Sequence, residues 1–371
     1  MLGNTRPKPP LRWRESVKFV VVEIPAALRE AIEGAERIFC LSHPSADGDA
    51  IGSLCGLKHA FSALGKEVTM VLPDPKPQYL RFIPGWEEIL SYEEAPDTTA
   101  QKAREANLFF ALDFGKWDRI PEALGALIPR ERLVWVDHHV DSEPLSPKWN
   151  FWEPTAAATT EILYRFLTAL VGGELPLLAR IALYTGLLTD TGGFRFRSVT
   201  PKTFRIAAEL IRPPFPLEAV HHHVFRNKPL SQVRLQSYLF QYLHRVEGLP
   251  VVMLPVTGAA IESFGASWED VQGISNQLLA MEGVILSIVL KEYGPSETRL
   301  SIRGVGDFPC HELAARFDKG GGHRNAAGAT LYKPLPEAIT YTENLIRTEY
   351  ESAILREFEH FTRSLELHHY A

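Results

Sequence analysis

The sequence predicts an α/β protein of two domains, a larger one with a mostly parallel sheet flanked by helices and a smaller one with a mixed sheet. Strand-like and helical segments alternate in the first half of the chain, a proline-rich stretch interrupts them near residues 212–229, and strand-like segments resume beyond it. The length of 371 residues also exceeds that of a typical single domain. We therefore expect two hydrophobic cores.

The composition is that of a folded globular protein, with 45% hydrophobic and 23% charged residues. A formal net charge of -6 argues against a broad surface for long duplex DNA, although short anionic substrates remain possible. The three cysteines form no CxxC motif, which argues against a disulfide framework or a zinc finger. We expect a cytoplasmic location, because no secretion signal or membrane-spanning run is evident.

The first half of the chain alternates short apolar runs with segments of helical periodicity. Residues 37–42 are typical of a buried strand, and a helical segment and a second strand-like run follow them. The expected elements are strands at residues 37–42, 67–72, 106–112 and 132–136 and helices at 24–34, 49–64, 156–170 and 175–188. This alternation predicts parallel strands with helices on both faces of the sheet.

The second half contains the signals of another α/β unit. The expected elements are a linking helix at residues 231–246, strands at 251–256, 284–293 and 298–304, a helix at 269–279 and an amphipathic helical tail at 336–365. The tail is more simply interpreted as a helix packed on the surface than as a partner-binding segment. The predicted division is a first domain at residues 20–228, a linker helix at 229–247, a second domain at 248–345 and a tail at 346–371.

Potential metal ligands lie where the first predicted strand gives way to a helix. His43, Asp47 and Asp49 fall within seven residues, and ligands of open parallel sheets bind at the carboxyl ends of strands. Carboxylate and imidazole groups suit divalent metal ions. For a single aspartate, the alternative interpretation is a helix N-cap.

Similar side chains recur at equivalent places along the chain. Asp113 ends the next predicted strand, Asp137, His138 and His139 end another, and Asp190 follows a long apolar helix. Strand ends of one parallel sheet meet at one edge, so we expect these groups to converge. Convergence at this edge predicts a metal site rather than scattered surface charge.

A glycine-rich segment in the second domain suggests anion binding. Gly320, Gly321 and Gly322 precede His323, and consecutive glycines let backbone N–H groups approach a phosphate, with a following helix start adding a favourable dipole. A plain turn is the alternative interpretation. Ser301 and Arg303 alternate on a predicted strand and should share one face, where the arginine could bind phosphate or form a surface salt bridge.

These residues together resemble the DHH/DHHA1 phosphoesterases. The matching positions are His43-x-x-x-Asp47-x-Asp49, Asp113, Asp137-His138-His139, Asp190 and Gly320-Gly-Gly-His323. The branch that they resemble most is that of the nanoRNases, bacterial oligoribonucleases that also dephosphorylate 3′-phosphoadenosine 5′-phosphate. Family II pyrophosphatases lack the glycine motif, and the single-strand-specific DNA exonucleases are usually longer. The resemblance implies a phosphoric diester hydrolase of the exoribonuclease type, with its active site in the cleft between the two domains.

The resemblance also implies a centre of two manganese ions per chain, with Mg²⁺ or Co²⁺ as possible substitutes. The implied ligands of one ion are His43, Asp47 and Asp113. Those of the other ion are Asp49, Asp113, His138 and Asp190. The implied catalytic residues are Asp49, Asp113, His138 and His139, with Asp137 orienting His138 from behind. The implied substrate-binding residues are Ser301, Arg303, Gly320, Gly321, Gly322 and His323.

The expected substrates are short single-stranded oligonucleotides or small nucleotides, without involvement of a membrane, and relatives suggest a homodimer. A cyclic di-AMP phosphodiesterase is the principal alternative, because the same metals and anion-binding loop serve linear and cyclic diesters. A nucleotide-binding regulatory module without catalysis is a further alternative, although every metal position is intact. The sequence Ser301-Ile-Arg-Gly lacks the second serine of many relatives, which leaves fine substrate choice open.

Overall fold

The computed structural model describes residues 22–140, 142 and 146–363. In the first part of the chain, helices and strands alternate as the sequence predicts. The strands are β1 (Arg37–Leu41), β2 (Glu67–Leu72), β3 (Leu90–Ser91), β4 (Leu108–Leu112), β5 (Leu133–Asp137) and β6 (Trp149–Trp152). The helices are α1 (Ala26–Gly34), α2 (Gly48–Ala63), α3 (Pro96–Glu105), α4 (Glu122–Gly125), α5 (Thr159–Val171), α6 (Leu177–Asp190), α7 (Pro201–Leu210) and α8 (Leu217–Phe225).

The first six strands form one parallel sheet in the order β3-β2-β1-β4-β5-β6. Every residue of β4 and β5 is buried, because helices cover both faces of the sheet. The chain reverses its direction of travel across the sheet between β1 and β4, and such switch points open a crevice at the carboxyl edge. The parallel sheet confirms the fold class expected for this domain.

The second part of the chain forms a separate mixed sheet. Its strands are β7 (His244–Arg245), β8 (Val251–Val256), β9 (Leu286–Gly294), β10 (Glu297–Gly304), β11 (Lys319–His323) and β12 (Ala326–Leu331). Its helices are α9 (Leu230–Leu239), α10 (Gly258–Ser263), α11 (Ile274–Leu278), α12 (Cys310–Ala314), α13 (Leu335–Leu345) and α14 (Glu351–Arg363). The strand order is β11-β12-β10-β9-β8-β7, in which β8 and β9 are parallel and the other pairs antiparallel.

Each face of the mixed sheet has its own core. On one face, residues such as Ile288 and Ile302 pack with α12, α13 and α14. On the other, residues such as Val252 and Val289 pack with α9, α10 and α11. The helices of the second face cover β8 and part of β9, whereas Ser301 and Arg303 of β10 lie half-buried on that face.

Two local expectations differ from the structure. The expected linker helix at 229–247 ends at Leu239, packs Leu235 and Leu239 into the second core and is followed by β7. The expected helix at 269–279 is divided by Gly273, whose φ is 74°. The expected tail is helical, and Ile354 of α14 packs into the core on the other face, with Ile288 and Ile302; residues 20, 21 and 364–371 of the expected ranges lie outside the described residues.

Polar contacts join the two parts of the molecule. Arg197, in the loop after α6, forms an ion pair with Asp307, which precedes α12. The backbone of Gln78 in the first part also lies close enough to the Glu269 carboxylate in the second to affect its ionisation. The two parts of the chain therefore contact each other through polar groups. Among the described residues, no helix is long and apolar enough to cross a membrane.

Candidate metal centre

The carboxyl ends of β1, β4 and β5 bring imidazole and carboxylate groups around Asp113. His43 follows β1, and its Nε2 lies 3.6 Å from Asp113 Oδ2. The two histidines after β5 approach the other oxygen, with His138 Nε2 and His139 Nδ1 each 3.6 Å from Asp113 Oδ1. Asp113 itself has a left-handed backbone with φ 55°, and its N–H donates to Val136 O at 2.9 Å. This turn at the end of β4 presents the buried carboxylate to three rings.

Asp47 is both the N-cap of α2 and a member of the cluster. Its Oδ1 accepts hydrogen bonds from the N–H groups of Asp49 and Ala50 at 3.0 and 3.1 Å. A ligand atom of Asp47 also lies within 4.8 Å of those of His43 and Asp113. The cap and the metal-ligand interpretations of this residue are therefore compatible. The cap fixes the position of an otherwise exposed carboxylate.

A close contact between α2 and α6 completes the cluster. A Cβ on Gly52 would lie 2.6 Å from Ala182 O, and a Cβ on Gly186 would lie 3.0 Å from Asp49 Oδ1. Only glycine permits this approach of the two helices. As a result, Asp49 at the start of α2 and Asp190 at the end of α6 lie on either side of His138, whose Nε2 is 3.5 Å from Asp190 Oδ2 and 4.0 Å from Asp49 Oδ2.

Two threonines at the start of α5 belong to the site and were missed by the sequence analysis. Asp49 Oδ2 accepts from Thr159 N at 2.6 Å, and its Oδ1 accepts from Thr160 N and Thr160 Oγ1 at 3.0 and 2.6 Å. Thr159 Oγ1 also donates to Asp113 Oδ1 at 3.0 Å. The pair of hydroxyl residues at a helix start was the available signal, but the sequence does not show which carboxylates they meet.

Asp137 holds His139, and the expectation that it orients His138 is wrong. Asp137 Oδ1 accepts from His139 Nδ1 at 2.7 Å, and Oδ2 accepts from Gly115 N at 3.0 Å and Ser142 Oγ at 2.5 Å. His138 Nδ1 instead lies 3.3 Å from Ala156 O. Successive residues at the end of β5 point in different directions. The buried Asp137 therefore contacts His139, and the carbonyl of Ala156 contacts His138.

The clustered charges shift the ionisation of the site. Burial and the nearby Asp113 raise the pKa of Asp49 to about 7, and burial also raises the pKa of Asp190 well above its usual value. Burial acts in the same direction on Asp113, but the hydrogen bond to His43 and the charges of the histidines hold its pKa well below the usual range. Burial lowers the pKa of His138, whereas Asp190, Asp113 and Asp49 together raise it to about 9.

The donor set fits divalent metal ions. Three groups of side chains each have ligand atoms within 4.8 Å of one another. The groups are His43, Asp47 and Asp113; Asp49, His138 and Asp190; and Asp113, His138 and His139. Buried carboxylates that repel one another are costly unless a cation compensates them, and these oxygen and imidazole donors suit such a cation. The third group shares Asp113 with the first and His138 with the second, so the first two groups lie side by side.

The residues predicted from the second domain lie on strands β10 and β11 of the mixed sheet, on either side of β12. Ser301 is opposite Gly328, which is opposite Gly321, and Arg303 is opposite Ala326, which is opposite the backbone of His323. The expectation of a glycine loop leading into a helix is wrong, because Gly320, Gly321 and Gly322 belong to the edge strand β11. A Cβ on Gly320 would lie 1.8 Å from Ala314 O, so glycine there permits close packing on α12.

Arg303 connects this sheet to the acidic cluster. Its Nη1 donates to Ile302 O at 3.0 Å. Burial lowers the pKa of Arg303, whereas the Cys310 thiol and the carboxylate of Asp47 in the first domain act against that shift. The half-buried guanidinium therefore lies within electrostatic reach of the predicted metal ligands. A cation of the second domain therefore lies near a carboxylate of the first.

The three adjacent histidines of α8 form no joint site. His221 Nε2 lies 2.9 Å from the hydroxyl of Tyr184, whereas the ring of His223 stacks on Phe82 with centroids 4.9 Å apart. Adjacent residues of a helix point in different directions.

Comparison with known proteins identifies the two parts of the chain. Residues 37–186 match the DHH family, N-terminal domain, and residues 248–348 match the DHHA1 domain. The chain is 33% identical over 359 residues to the bifunctional oligoribonuclease and PAP phosphatase NrnA of Thermus thermophilus, covering 94% of this chain and 100% of that protein. It is 28% identical to the protein of the same name in Bacillus subtilis, covering 78% of this chain and 88% of that one.

Two further similarities bear on the fold and on the alternative function. An exopolyphosphatase-related protein from Bacteroides fragilis superposes with a TM-score of 0.82 at 29% identity, covering 88% of this chain and 96% of that structure. The cyclic-di-AMP phosphodiesterase GdpP of Geobacillus thermodenitrificans is 24% identical, and the match spans 48% of its length. Since the NrnA match extends over almost the whole of both proteins, the chain belongs to the DHH family, with a DHH domain followed by a DHHA1 domain.

Proposed function

We propose that this protein is a metal-dependent phosphodiesterase that hydrolyses short oligonucleotides to mononucleotides and dephosphorylates 3′-phosphoadenosine 5′-phosphate. The observation that carries the proposal is the convergence of carboxylates and imidazoles on Asp113, opposite the cation Arg303. Carboxylates that hold metal ions and a cation that holds phosphate are the two requirements of metal-assisted phosphoryl transfer. The full-length similarity to two NrnA proteins supports these substrates.

In this proposal the first-domain residues hold two Mn²⁺ ions per chain. The ligands of one ion are His43, Asp47 and Asp113. The ligands of the other are Asp49, Asp113, His138 and Asp190. When bound, the ions would activate water for attack on phosphorus and neutralise charge on the phosphoryl oxygens.

The chain's own groups then have distinct tasks. Thr159 and Thr160 fix both oxygens of Asp49 and so set the direction from which it approaches an ion. The hydrogen bond from His139 Nδ1 to Asp137 fixes the orientation of the ring, and we propose that this ring contacts the substrate phosphate. On the other side of the cleft, Arg303 binds phosphate, assisted by Ser301, the Gly320–Gly322 backbone and His323. Closure of the cleft around the substrate would exclude bulk water.

The cyclic di-AMP alternative is less well supported. The similarity to GdpP is lower in identity, and the match spans about half of that protein. We propose in addition that the protein acts as a homodimer, as the resemblance to other DHH/DHHA1 proteins suggested, and that residues 20–228 and 248–345 carry the metal-binding and substrate-binding tasks.

A substrate panel tests the function. The full chain, supplied in turn with Mn²⁺, Co²⁺ or Mg²⁺, is assayed against di- to pentanucleotides, 3′-phosphoadenosine 5′-phosphate and cyclic di-AMP. We expect the highest kcat/KM for the short linear substrates and higher rates in Mn²⁺ than in Mg²⁺, since imidazole ligands suit manganese better. Faster turnover of cyclic di-AMP would favour the alternative, and equal or better rates in Mg²⁺ would count against the choice of metal.

A further inference from the structure

A carboxylate from outside the acidic cluster holds the turn between two of the predicted metal ligands. Ser45 lies between His43 and Asp47 in the sequence, and its backbone N–H donates a hydrogen bond to Asp74 Oδ2 at 2.7 Å. Asp74 follows β2, which is parallel to β1, so both strands end at the same edge of the sheet. The bond therefore connects two neighbouring strand ends at the edge where the ligands converge.

The backbone of Ser45 is in a conformation that serine rarely adopts. Its φ of 56° lies in the left-handed region, where the Cβ of most residues is crowded by the backbone. Ser45 is exposed, so close packing around its side chain does not impose this conformation. The contact that favours it is the hydrogen bond from its N–H to the charged oxygen of Asp74.

The conformation of Ser45 sets the distance between two ligands. His43 and Asp47 have ligand atoms within 4.8 Å of each other and of Asp113. Both ends of the turn are anchored, because Asp47 is the N-cap of α2 and Ser42 Oγ donates to a carbonyl of β4 at 2.7 Å. A change of φ at Ser45 would therefore move one ligand relative to the other.

The segment that carries Asp74 is rigid. Prolines occupy alternate positions of Pro73-Asp-Pro-Lys-Pro77, and each proline fixes its own φ and restricts the residue before it. Lys76 anchors the segment, because its Nζ donates to Glu87 O and Ile89 O at 2.8 and 3.1 Å. An acceptor on so rigid a segment holds its donor in one place.

The simpler interpretation is that Asp74 stabilises its own turn, but its contacts argue against this role. An aspartate that caps its own turn accepts a hydrogen bond from the backbone about two residues further along. Within the described part of the chain, Asp74 accepts one hydrogen bond, from a donor 29 residues away in the sequence. Its other oxygen, Oδ1, is buried and has no partner among the described residues. The carboxylate therefore holds the turn at Ser45 and not its own.

We propose that Asp74 is a positioning residue for the metal centre. By holding Ser45 in the left-handed conformation, it keeps His43 and Asp47 at the separation that lets both bind the same ion. The inference rests on the proposed function, in which these two residues are ligands of one of two ions. Groups that orient metal ligands from behind generally change the metal affinity about 10- to 100-fold when they are removed.

The proposed role concerns one ion more than the other. Asp49, a proposed ligand of the other ion, accepts hydrogen bonds from Thr159 N and Thr160 N at 2.6 and 3.0 Å. These bonds hold Asp49 from α5 and do not involve the turn at Ser45. Removal of the Asp74 carboxylate should therefore weaken one ion and leave the other in place.

Manganese titration of the full chain tests the proposal. Bound ions are counted from the loss of the electron paramagnetic resonance signal of free Mn²⁺, so the readout does not require turnover. The unaltered chain should bind two ions, and Asp74→Ala should weaken one of them about tenfold or more while the other keeps its affinity. Asp74→Asn keeps an acceptor oxygen for Ser45 N and should lose much less.

A second substitution separates the backbone conformation from a general loss of stability. Glycine adopts a positive φ readily, so Ser45→Gly added to Asp74→Ala should restore about fivefold or more of the lost affinity. A merely structural role of Asp74 predicts no such rescue.

Asp318→Ala is the matched control. Asp318 Oδ2 accepts a hydrogen bond from Tyr332 N at 2.7 Å, so this variant removes the same kind of bond from the second domain. It should bind both ions with unchanged affinity. Thermal unfolding of each variant shows whether the chain is folded when the metal is added. Asp74→Glu keeps the charge but displaces the acceptor, so it should weaken the same ion and replaces alanine if Asp74→Ala does not fold.

Three results would overturn the proposal. They are equal weakening of both ions, unchanged affinity in Asp74→Ala, and no rescue by Ser45→Gly. Failure of the proposed function looks different, because short oligonucleotides would then stay intact although the unaltered chain binds both ions, and the comparison of affinities would still decide the role of Asp74. An unaltered chain that bound no manganese would overturn both.

Discussion

Asp113 combines a central position with an unusual backbone. Its two oxygens face three imidazoles, and its φ of 55° lies in the region that asparagine and aspartate tolerate better than alanine does. Asp113→Asn therefore removes the charge with little strain. We expect turnover to fall by more than about 1,000-fold and manganese content to fall below that of the unaltered chain, because in the proposed site Asp113 would help to hold both ions.

The measurement pairs activity with metal analysis and thermal unfolding. Asp113→Asn should retain a cooperative transition, which would assign the loss to the site and not to the fold. Near-normal turnover in Mn²⁺ would contradict the role given to Asp113.

The contact between Asp137 and His139 gives a second prediction. Four donors converge on the Asp137 carboxylate, and an amide can offer an acceptor oxygen on one side only. Asp137→Asn should therefore misorient His139 and reduce kcat at least about tenfold, in the range of general acid–base contributions. His138 contacts Ala156 O and not Asp137, so its orientation should not change in this variant. The metal content should therefore stay constant.

Asp97→Asn, an exposed aspartate on α3, is the matched control and should have normal activity. Loss of metal together with activity in Asp137→Asn would indicate that Asp137 acts through His138 after all. Inductively coupled plasma analysis and steady-state rates on the same preparations distinguish the two outcomes.

At the scale of secondary structure, the glycines between α2 and α6 position the metal ligands. A Cβ on Gly52 would lie 2.6 Å from Ala182 O and 3.0 Å from the backbone of Gly186. Gly52→Ala should push the helices apart and destabilise the protein by about 1–3 kcal/mol, as overpacked cores generally are. Since Asp49 and Asp190 lie on these two helices, the apparent affinity for Mn²⁺ should fall as well.

Gly34→Ala provides the control for this change. Gly34 is also in a helix, but no atom lies within 4 Å of the position that its Cβ would take. This variant should be neutral or slightly more stable, because alanine favours the helix. Thermal denaturation and manganese titration of both variants test the argument; an unaffected Gly52→Ala would refute the close-packing explanation.

The elements also show how far the sequence could predict the structure. Residues 37–42 and 67–72 contain short apolar runs, and β1 and β2 match these ranges closely because the apolar residues at the ends of both strands are buried. The edge strand β11 could not be predicted, since glycine has low strand propensity and its pairing with β12 is set by tertiary structure. Gly52 and Gly186 determine the contact between α2 and α6. The sequence does not show which residues these glycines face.

The same limit applies to the site. His43, Asp113 and His138 were predictable because strand order alone brings the carboxyl ends of β1, β4 and β5 together. The partners of Asp137 and the role of Thr159 depend on side-chain directions across different elements. Spacing in the sequence carries no information on those directions. Asp137 was therefore assigned to His138 instead of His139, and Thr159 was not identified.

For the molecule as a whole, opposite charges are divided between the two sheets. The first presents a cluster of carboxylates at its carboxyl edge, and the second presents Arg303, Arg299 and Lys291 on one face. In the proposed function this arrangement separates metal binding from substrate binding, and polar contacts such as Arg197 with Asp307 connect the two parts. A net charge of -6 is thus compatible with a local cationic surface for a short anion.

The division of tasks predicts a difference between substrates in a single variant. If Arg303 binds phosphate across the cleft, Arg303→Ala should lower kcat/KM for a dinucleotide about 30-fold or more, the loss of a charge-assisted bidentate contact. His323→Ala should also lower kcat/KM for the dinucleotide, because His323 belongs to the proposed substrate-binding motif Gly320-Gly-Gly-His323. Both variants should retain the manganese content of the unaltered chain, since no predicted metal ligand has changed.

Bis-p-nitrophenyl phosphate is the comparison substrate, because this small diester offers little for the second domain to hold. Its hydrolysis by Arg303→Ala should fall much less than that of the dinucleotide, since the variant removes binding energy from the remote part of the substrate. The quantity to measure is the ratio of the two losses within one preparation, which cancels errors in active concentration. Equal losses for both substrates, or a parallel fall in metal content, would place Arg303 in the metal centre itself and would show that the two domains do not divide the work.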